Sequence, residues 1–477
     1  MKEANVQKNT IYSIIKSVAA IIFPLISFPY ASRVLLTEGV GRVNFGNSII
    51  SYCTLVATLG ITSYAIRECA RVRNNREELS KVASQLFTIN MVTTAIAYVF
   101  LAMALVFVDA LADYRVLIIV QSTNVIFATL GAEWLNSALE DFKFITLRTV
   151  AFQVLALVAM FAFVRTSEDY LIYALIGVLS SSGSNIVNMF YRRRFCTIRL
   201  VKEMNLKRHL PPILLMFSMV LSQTIYVNSG VTMIGLFRGD HEVGLYSTAT
   251  KIYTIVNTLV ASVAFVVMPK ISYHYAKEEY DQINDLLRYG LGFIVTLGLP
   301  CLVGLNVLCK DIIHAIAGEA YFGAIPALHV LTISLAFSFL GGFIGNLILI
   351  PTGKEAICLR TSIISSLVSL VLNLILIPRI GFVAAPITTS VAEMIGFIIA
   401  SRHVYKWVDL GKLSKLLLAP LLGCAAIVFV VLAIRNFIDD NLVRVVVSVA
   451  ASVVAYLVVL ILLEHEFTLN LIKKLKK

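Results

Sequence analysis

Residues 445–463 read VVVSVAASVVAYLVVLILL, nineteen positions with no charge and with Ser448, Ser452 and Tyr456 as the only polar side chains. Wound as a helix at about 1.5 Å per residue, such a run extends about 28 Å, close to the roughly 30 Å of a bilayer's hydrocarbon core. Working outward, the same rule divides the chain into fourteen apolar segments. Their approximate limits are 10–32, 43–66, 83–108, 114–137, 145–165, 169–191, 211–237, 243–268, 285–308, 324–349, 358–378, 382–402, 414–435 and 442–463. Composition agrees. Of 477 residues, 58% are hydrophobic and 14% charged, where an average soluble protein devotes about a quarter to charge. Mean hydropathy is +0.86, and too few charged residues remain to give a soluble protein its polar skin. The expected fold class is an all-α polytopic membrane protein with about fourteen transmembrane helices.

The formal charge of +12 comes from 40 Lys and Arg against 28 Asp and Glu. This excess lies between apolar stretches, where it contacts lipid headgroups and sets orientation, so it reads as topology and not as nucleic-acid binding. One set of alternate loops carries 29 bases and the other nine, with Lys16 and Lys251 inside spans. That asymmetry puts both termini in the cytoplasm. The seven cysteines are scattered without a C-x-x-C pair and read as core thiols, with no metal or cofactor expected. The first apolar run is longer than a signal-peptide core and lacks an A-x-A-like cleavage site, so it is expected to be retained.

The most basic connection, residues 191–209 (YRRRFCTIRLVKEMNLKRH), follows the sixth span and reads as the hinge between two six-helix halves. Val43-Asn44-Phe45 with Tyr52 lies 201 residues before Gly244-Leu245-Tyr246 with Tyr253, and Leu147-Arg148-Thr149 lies 212 before Leu359-Arg360-Thr361. These matches suggest parallel duplication, and transporters often bind substrate between such halves. The expected organisation is a six-helix lobe over 1–195, a basic cytoplasmic linker over 196–210, a second six-helix lobe over 211–405, and two peripheral helices with a basic tail over 406–477.

Several stretches resemble the lipid-linked oligosaccharide (O-antigen type) flippases of the multidrug/oligosaccharidyl-lipid/polysaccharide exporter superfamily. Glu133-Trp134 through Ala138, Glu140 and Ile145 is similar to that family's W-x-x-x-G-x-E-x-x-x-x-I stretch, with Ala138 at the usual glycine. Val243-Gly244-Leu245-Tyr246 to Pro269-Lys270-Ile271-Ser272 resembles its V-G-x-Y … P-x-I/L-S helix, and Leu372-Asn373 to Pro378 and Gly381 its L-N-x-x-L-I-P-x-x-G turn. Glu319-Ala320-Tyr321 with Pro326 to Leu331 matches the opening of helix ten. The resemblance runs to about residue 402 and implies two pseudo-symmetric six-helix lobes around a central cavity. It also implies a cargo, an oligosaccharide repeat unit on polyprenyl diphosphate moved from the cytoplasmic to the periplasmic leaflet of the bacterial inner membrane, for O-antigen or other surface polysaccharide. Membrane lipids, a coupling H⁺ or Na⁺, and polysaccharide polymerase and chain-length proteins are the further candidate partners.

Such cargo has an apolar tail that stays in lipid and a head that loses water unless a polar cavity receives it. Cationic groups for phosphate, and amides, hydroxyls or rings for sugar, are what the site needs. No nucleophile is required, and the chain reads as a transporter, not an enzyme. Lys251 lies about 12 Å along its helix from the periplasmic end, where an ammonium faces a cavity or a partner. Lys16 is six residues into the first span, and reads either as snorkelling or as a phosphate contact at the inner mouth. Arg33 and Arg42 bracket the turn between spans one and two, while Arg148 and Arg360 sit at related inner helix ends where they anchor topology or attract phosphate. Gln223 and Tyr226 are neighbours on one face of the seventh span, placed for sugar hydroxyls or interhelical bonds. Glu393, near the middle of span twelve, reads as a coupling site, a partner for Lys251 or a helix-interface group, and Glu133 as a coupling or ion-pair group with an open role. Pro24 and Pro29 invite a bend in the first span.

Two alternatives share the superfamily. A cation-coupled multidrug exporter commonly carries an acid in helix one or seven, and here those spans hold neither Asp nor Glu. A peptidoglycan lipid-precursor flippase would have an arginine-rich inner half of the first lobe, a pattern this chain lacks. A polymerase or ligase of the envelope needs a large periplasmic loop, and the longest loops here are cytoplasmic and short.

Overall fold

The computed structural model describes residues 6–404, 413–465 and 467–469. Lys2, the basic segment 405–412 and the tail from 470 lie outside the described residues. Among the described residues the fold is helical with no strand, and twelve continuous helical runs are long and apolar enough to cross a bilayer. Two of these, Lys8–Arg71 at 64 residues and Glu355–Ser401 at 47, far exceed the roughly 20 residues a crossing needs. Each holds two crossings, which gives the fourteen expected. By contact the chain forms two compact units, Met1–Gly244 and Leu245–Lys477.

In the first unit, α1 (Val6–Thr58) keeps helical dihedrals through Pro24 and Pro29 and leaves the helical region at Leu36, with φ 56°. The break between spans one and two is therefore a single residue, not a loop between Arg33 and Arg42. The second crossing ends at Leu59 and Gly60, both at positive φ. A short amphipathic helix α2 (Ile61–Arg71) follows, burying Ile61, Tyr64, Ala65, Glu68 and Cys69, the i, i+3, i+4, i+7, i+8 stripe of a one-faced helix. Helix α3 (Arg76–Phe107) is started by Asn75, whose side chain accepts from the amides of Glu77 and Glu78.

The fourth span was expected as one helix over 114–137. It breaks instead: α4 (Arg115–Gly131) stops at Ala132, which adopts φ 48°, ψ 50°, and the short α5 (Glu133–Ala138) resumes. Asp141 caps α6 (Phe142–Phe163) and accepts from Tyr191 Oη on α7 (Tyr170–Tyr191) at 2.8 Å. Glu140 pairs with Arg73 at 2.6 Å. The acidic part of the family stretch thus fastens α5 and α6 to their neighbours.

The basic connection after α7 lies along α3. The amides of Thr197, Arg199 and Val201 donate to Ser80 Oγ, Ser84 Oγ and Thr88 Oγ1, each at 3.1 Å. Four residues of helix rise about 6.0 Å and two of extended chain about 6.6 Å, so the two periods match and every second linker amide finds a hydroxyl. At the strap's end, His209 is fully buried between Tyr64 Oη at 2.9 Å and Gln85 Oε1 at 3.1 Å. Buried Glu68 meets Arg208 at 3.2 Å and Arg71 at 2.9 Å. Helix α8 (Leu206–Phe237) then packs on α1, with Thr232 Oγ1 donating to Ser48 Oγ at 2.9 Å. For this reason the division by contact falls at Gly244, one helix later than the repeat boundary.

The second unit contains most of α9 (Asp240–Tyr275), then α10 (Tyr280–Val307), α11 (Cys309–Ala317), α12 (Ile325–Gly342), α13 (Glu355–Ile380) and α14 (Ala384–Ser401). Its irregularities repeat those of the first. Tight 3₁₀ turns at Asp109–Tyr114 and Glu319–Ala324 start 210 residues apart, and those at Ser167–Asp169 and Gly381–Val383 start 214 apart. Where α4 breaks at Ala132, α12 passes 211 residues later into a π-helix over Phe343–Leu349. The last two helices, α15 (Leu413–Arg435) and α16 (Asn441–Leu462), are tied down by Asp311. This buried carboxylate binds Arg435 at 3.1 Å and Arg444 at 2.9 Å. On α16 only the stripe Ser448, Ser452, Tyr456 and Leu460 is buried, while Val446, Val454 and Leu462 are more than 60% exposed, as lipid-facing helices require.

Candidate functional site

Three sequence candidates meet at the break in the fourth span. Glu133 opens α5, and its two oxygens are shared: Lys16 Nζ of α1 lies 2.8 Å from Oε1 and Arg148 Nη2 of α6 lies 2.6 Å from Oε2. Arg148 Nη1 also donates to the Ser184 carbonyl of α7 at 2.8 Å, and its guanidinium lies over the Phe144 ring at 5.5 Å. Three elements thus converge on one carboxylate, with α7 holding the arginine from behind, and the cluster carries two cations and one anion. Its burial is graded, with side-chain exposure of 39% for Lys16, 33% for Glu133 and 4% for Arg148. The arginine forms the floor and the lysine the open edge.

The break itself supplies further polar capacity. Asn188 Nδ2 of α7 donates to the Gly131 carbonyl at 2.7 Å, capping the end of α4. Arg148 Nε, Asn185 Oδ1 and Asn188 Oδ1 are buried without a protein hydrogen-bond partner. Buried polar atoms are otherwise nearly always paired, so this region holds donors and acceptors in excess of what the protein uses. A polyanionic head could exploit the two cations, and hydroxyls could use the amides.

The other candidates are distributed. Arg42 is engaged by Asp240, with Nε 3.0 Å from Oδ2, and lies over the Tyr170 ring at 5.3 Å. Asp240 also accepts from Tyr114 Oη at 2.6 Å, and the neighbouring His241 Nδ1 meets Thr37 Oγ1 at 2.8 Å. Two glycines allow this contact: a Cβ on Gly41 would collide with the Asp240 carbonyl, and one on Gly244 with the Thr37 carbonyl. Asp240, Tyr114 and His241 were not sequence candidates, because their partners lie 126 to 204 residues away and no local spacing announces them. Arg33 is exposed on α1, three residues before the break. Gln223 is exposed and Tyr226 half-buried on α8, where Ser222 and Asn228 bond carbonyls of their own helix. In the second unit, Lys251 is half-buried on α9, Glu393 is half-buried on α14 within electrostatic reach of Tyr253, and Arg360 is exposed near the start of α13. The structure therefore brings together Lys16, Glu133 and Arg148, and leaves Arg33, Arg42, Gln223 and Tyr226 elsewhere in the same unit.

The sequence model of the polysaccharide biosynthesis protein family matches residues 6–274, more than half of the chain. The chain belongs to that family. The matched part includes Lys16, Glu133, Arg148 and Asp240. Among similar proteins, one named "Putative O-antigen transporter" from Shigella dysenteriae is 22% identical over 368 residues, covering 76% of this chain and 91% of that protein. The capsular polysaccharide biosynthesis protein CapF of Staphylococcus aureus is 22% identical over 407 residues, covering 84% and 99%. Of solved structures, the lipid II flippase MurJ in an inward closed conformation superposes with a TM-score of 0.74 at 17% identity, over 97% of this chain and 100% of that one. This family member therefore has a MurJ-like helical membrane fold.

Proposed function

We propose that the protein is a flippase for polyprenyl-diphosphate-linked oligosaccharide repeat units, carrying them from the cytoplasmic to the periplasmic leaflet of the bacterial inner membrane by alternating access. The observation that carries this reading is the Lys16–Glu133–Arg148 cluster, two cations converging on one carboxylate at a broken helix. Membership of a polysaccharide biosynthesis family and relatives named for O-antigen and capsule support the cargo class.

The charge asymmetry of the loops supports a cytoplasmic location for both termini and for the inner ends of α1, α5 and α6. A diphosphate arriving there meets Lys16 first, the most exposed of the three. Glu133 acts as a resident counter-anion: it keeps the buried Arg148 paired until phosphate oxygens take its place. Lysine binds phosphate as a point charge and arginine as a planar fork, so Lys16 releases more readily and Arg148 orients. The tail stays in lipid throughout, and Lys251 is a further cationic contact for the head. Glu133, set free from its cations, and Glu393 are the coupling groups for H⁺ or Na⁺, and polymerase and chain-length proteins consume the product.

The test is reconstitution of the full chain with a fluorescent polyprenyl-diphosphate oligosaccharide and measurement of its movement between leaflets. Lys16→Ala and Arg148→Gln should each slow movement by about ten- to a hundredfold, the range of lost charge-assisted contacts. Unchanged rates would remove the cluster from the path. Faster movement of a peptidoglycan precursor than of any oligosaccharide cargo would move the assignment to that substrate.

A further inference from the structure

A second cationic feature of the first unit lies apart from the Lys16–Glu133–Arg148 cluster. Arg192, in the tight turn that ends α7, is 8% exposed although it carries a full charge. Its guanidinium sits over the Phe87 ring at 4.8 Å from the centroid, and its Nη1 is buried with no hydrogen-bond partner. The ring stabilises a cation but supplies no acceptor oxygen.

Its neighbours make the imbalance larger. Arg193 and Arg194 follow directly and are exposed, stacking on Phe190 and Tyr191. The charged or ionisable groups that act electrostatically on Arg192 are Cys196 and Arg193, and Arg76 acts with it on Cys196. Cys196 cannot serve as the counter-anion, because burial pushes its thiol up to about 11 and keeps it neutral at physiological pH. Among the described residues no carboxylate pairs with Arg76, Arg192, Arg193, Arg194 or Arg199, whereas Glu140 satisfies the nearby Arg73 and Glu68 satisfies Arg71 and Arg208. A buried cation without an anion is costly enough that proteins rarely keep one.

We infer that Arg192, with Arg193, Arg194 and Arg76, forms a binding site for a phosphate group. A phosphodiester or phosphomonoester oxygen accepts from the unpaired Nη1 while the exposed arginines hold the remaining charge. Two sources share this chemistry, an anionic lipid headgroup and a soluble phosphate compound. The site shares no residue with the Lys16–Glu133–Arg148 cluster, so phosphate binding at Arg192 does not depend on what cargo is carried.

The experiment uses the full chain in phosphatidylcholine nanodiscs, with phosphatidylglycerol, inorganic phosphate and pyrophosphate as probes, read by native mass spectrometry and thermal unfolding. The wild type should retain phosphatidylglycerol or a phosphate anion and unfold at higher temperature with it. Retention of the lipid alone assigns the site to a headgroup, and retention of pyrophosphate or phosphate alone to a soluble ligand. Arg192→Gln should weaken that binding about ten- to a hundredfold, and Arg192→Lys should restore part of it. If Arg192→Gln fails to fold, Arg193→Gln with Arg194→Gln, both at exposed positions, should still weaken binding about threefold or more. Wild-type protein that holds none of the probes above background, or variants that bind as the wild type does, would overturn the site.

Discussion

Glu133→Gln is the most informative single change, because it removes the anion that two unequal cations share. Arg148 lies 2.6 Å from the carboxylate with 4% of its side chain exposed, and breaking such a buried pair from one side costs about 3–5 kcal/mol. Lys16 is 39% exposed, and a pair of that kind contributes about 0–1 kcal/mol. Glu133 is itself one-third exposed, so water relaxes part of the stranded charge, and a neutral amide can still accept one bond. The net loss expected is about 2–3 kcal/mol. Thermal unfolding of the purified protein in a neutral detergent reads it. In double-mutant cycles Glu133 should couple to Arg148 by about 2 kcal/mol and to Lys16 by under about 1 kcal/mol. Pyrophosphate should then raise the unfolding temperature of Glu133→Gln more than that of the wild type, since the resident counter-anion no longer competes. Equal coupling to both cations, or a larger pyrophosphate shift in the wild type, would refute the reasoning.

Other parts of the fold make equally direct statements. Asp311→Asn leaves Arg435 and Arg444 without their shared buried carboxylate; stability should fall by about 2–4 kcal/mol, with limited proteolysis showing α15 and α16 released first. Gly41→Ala places a methyl against the Asp240 carbonyl and should lower membrane abundance and cost about 1–3 kcal/mol, as overpacking does. Ser84→Ala removes the acceptor for the Arg199 amide and a bond to the Thr197 carbonyl; hydrogen exchange over 195–203 should speed up about tenfold. Cys196, 1% exposed with its thiol pushed up to about 11, should resist maleimide at pH 7. Its labelling should rise only as pH approaches that value, because the thiolate is the reactive form.

Much of the fold was legible because membrane helices announce themselves by length and apolarity, as residues 445–463 do. The duplication was visible as isolated triplets, and the recurring 3₁₀ turns and the paired irregularities at Ala132 and Phe343 give it a structural counterpart. Breaks were less legible. Leu36 takes positive φ without glycine or proline beside it, and at the fourth-span break Ala132 takes it while its neighbour Gly131 stays helical, so only tertiary packing distinguishes these from ordinary helix positions. The strap was hidden for another reason: Ser80, Ser84 and Thr88 look like a polar face of α3 until the chain at 197–201 is laid along it. Of the site, the buried charges could be picked out singly, since an ionisable group within a span is rare. Their pairing was not readable, because Lys16 and Glu133 are 117 residues apart and Arg42 and Asp240 are 198 apart.

The most direct test of the central claim is the leaflet on which lipid-linked oligosaccharide resides in cells whose only copy of this protein carries Lys16→Ala with Arg148→Gln. At wild-type membrane abundance, the account predicts that polyprenyl-diphosphate oligosaccharide accumulates on the cytoplasmic leaflet and surface polysaccharide is lost. Normal export from cells expressing that variant would contradict it.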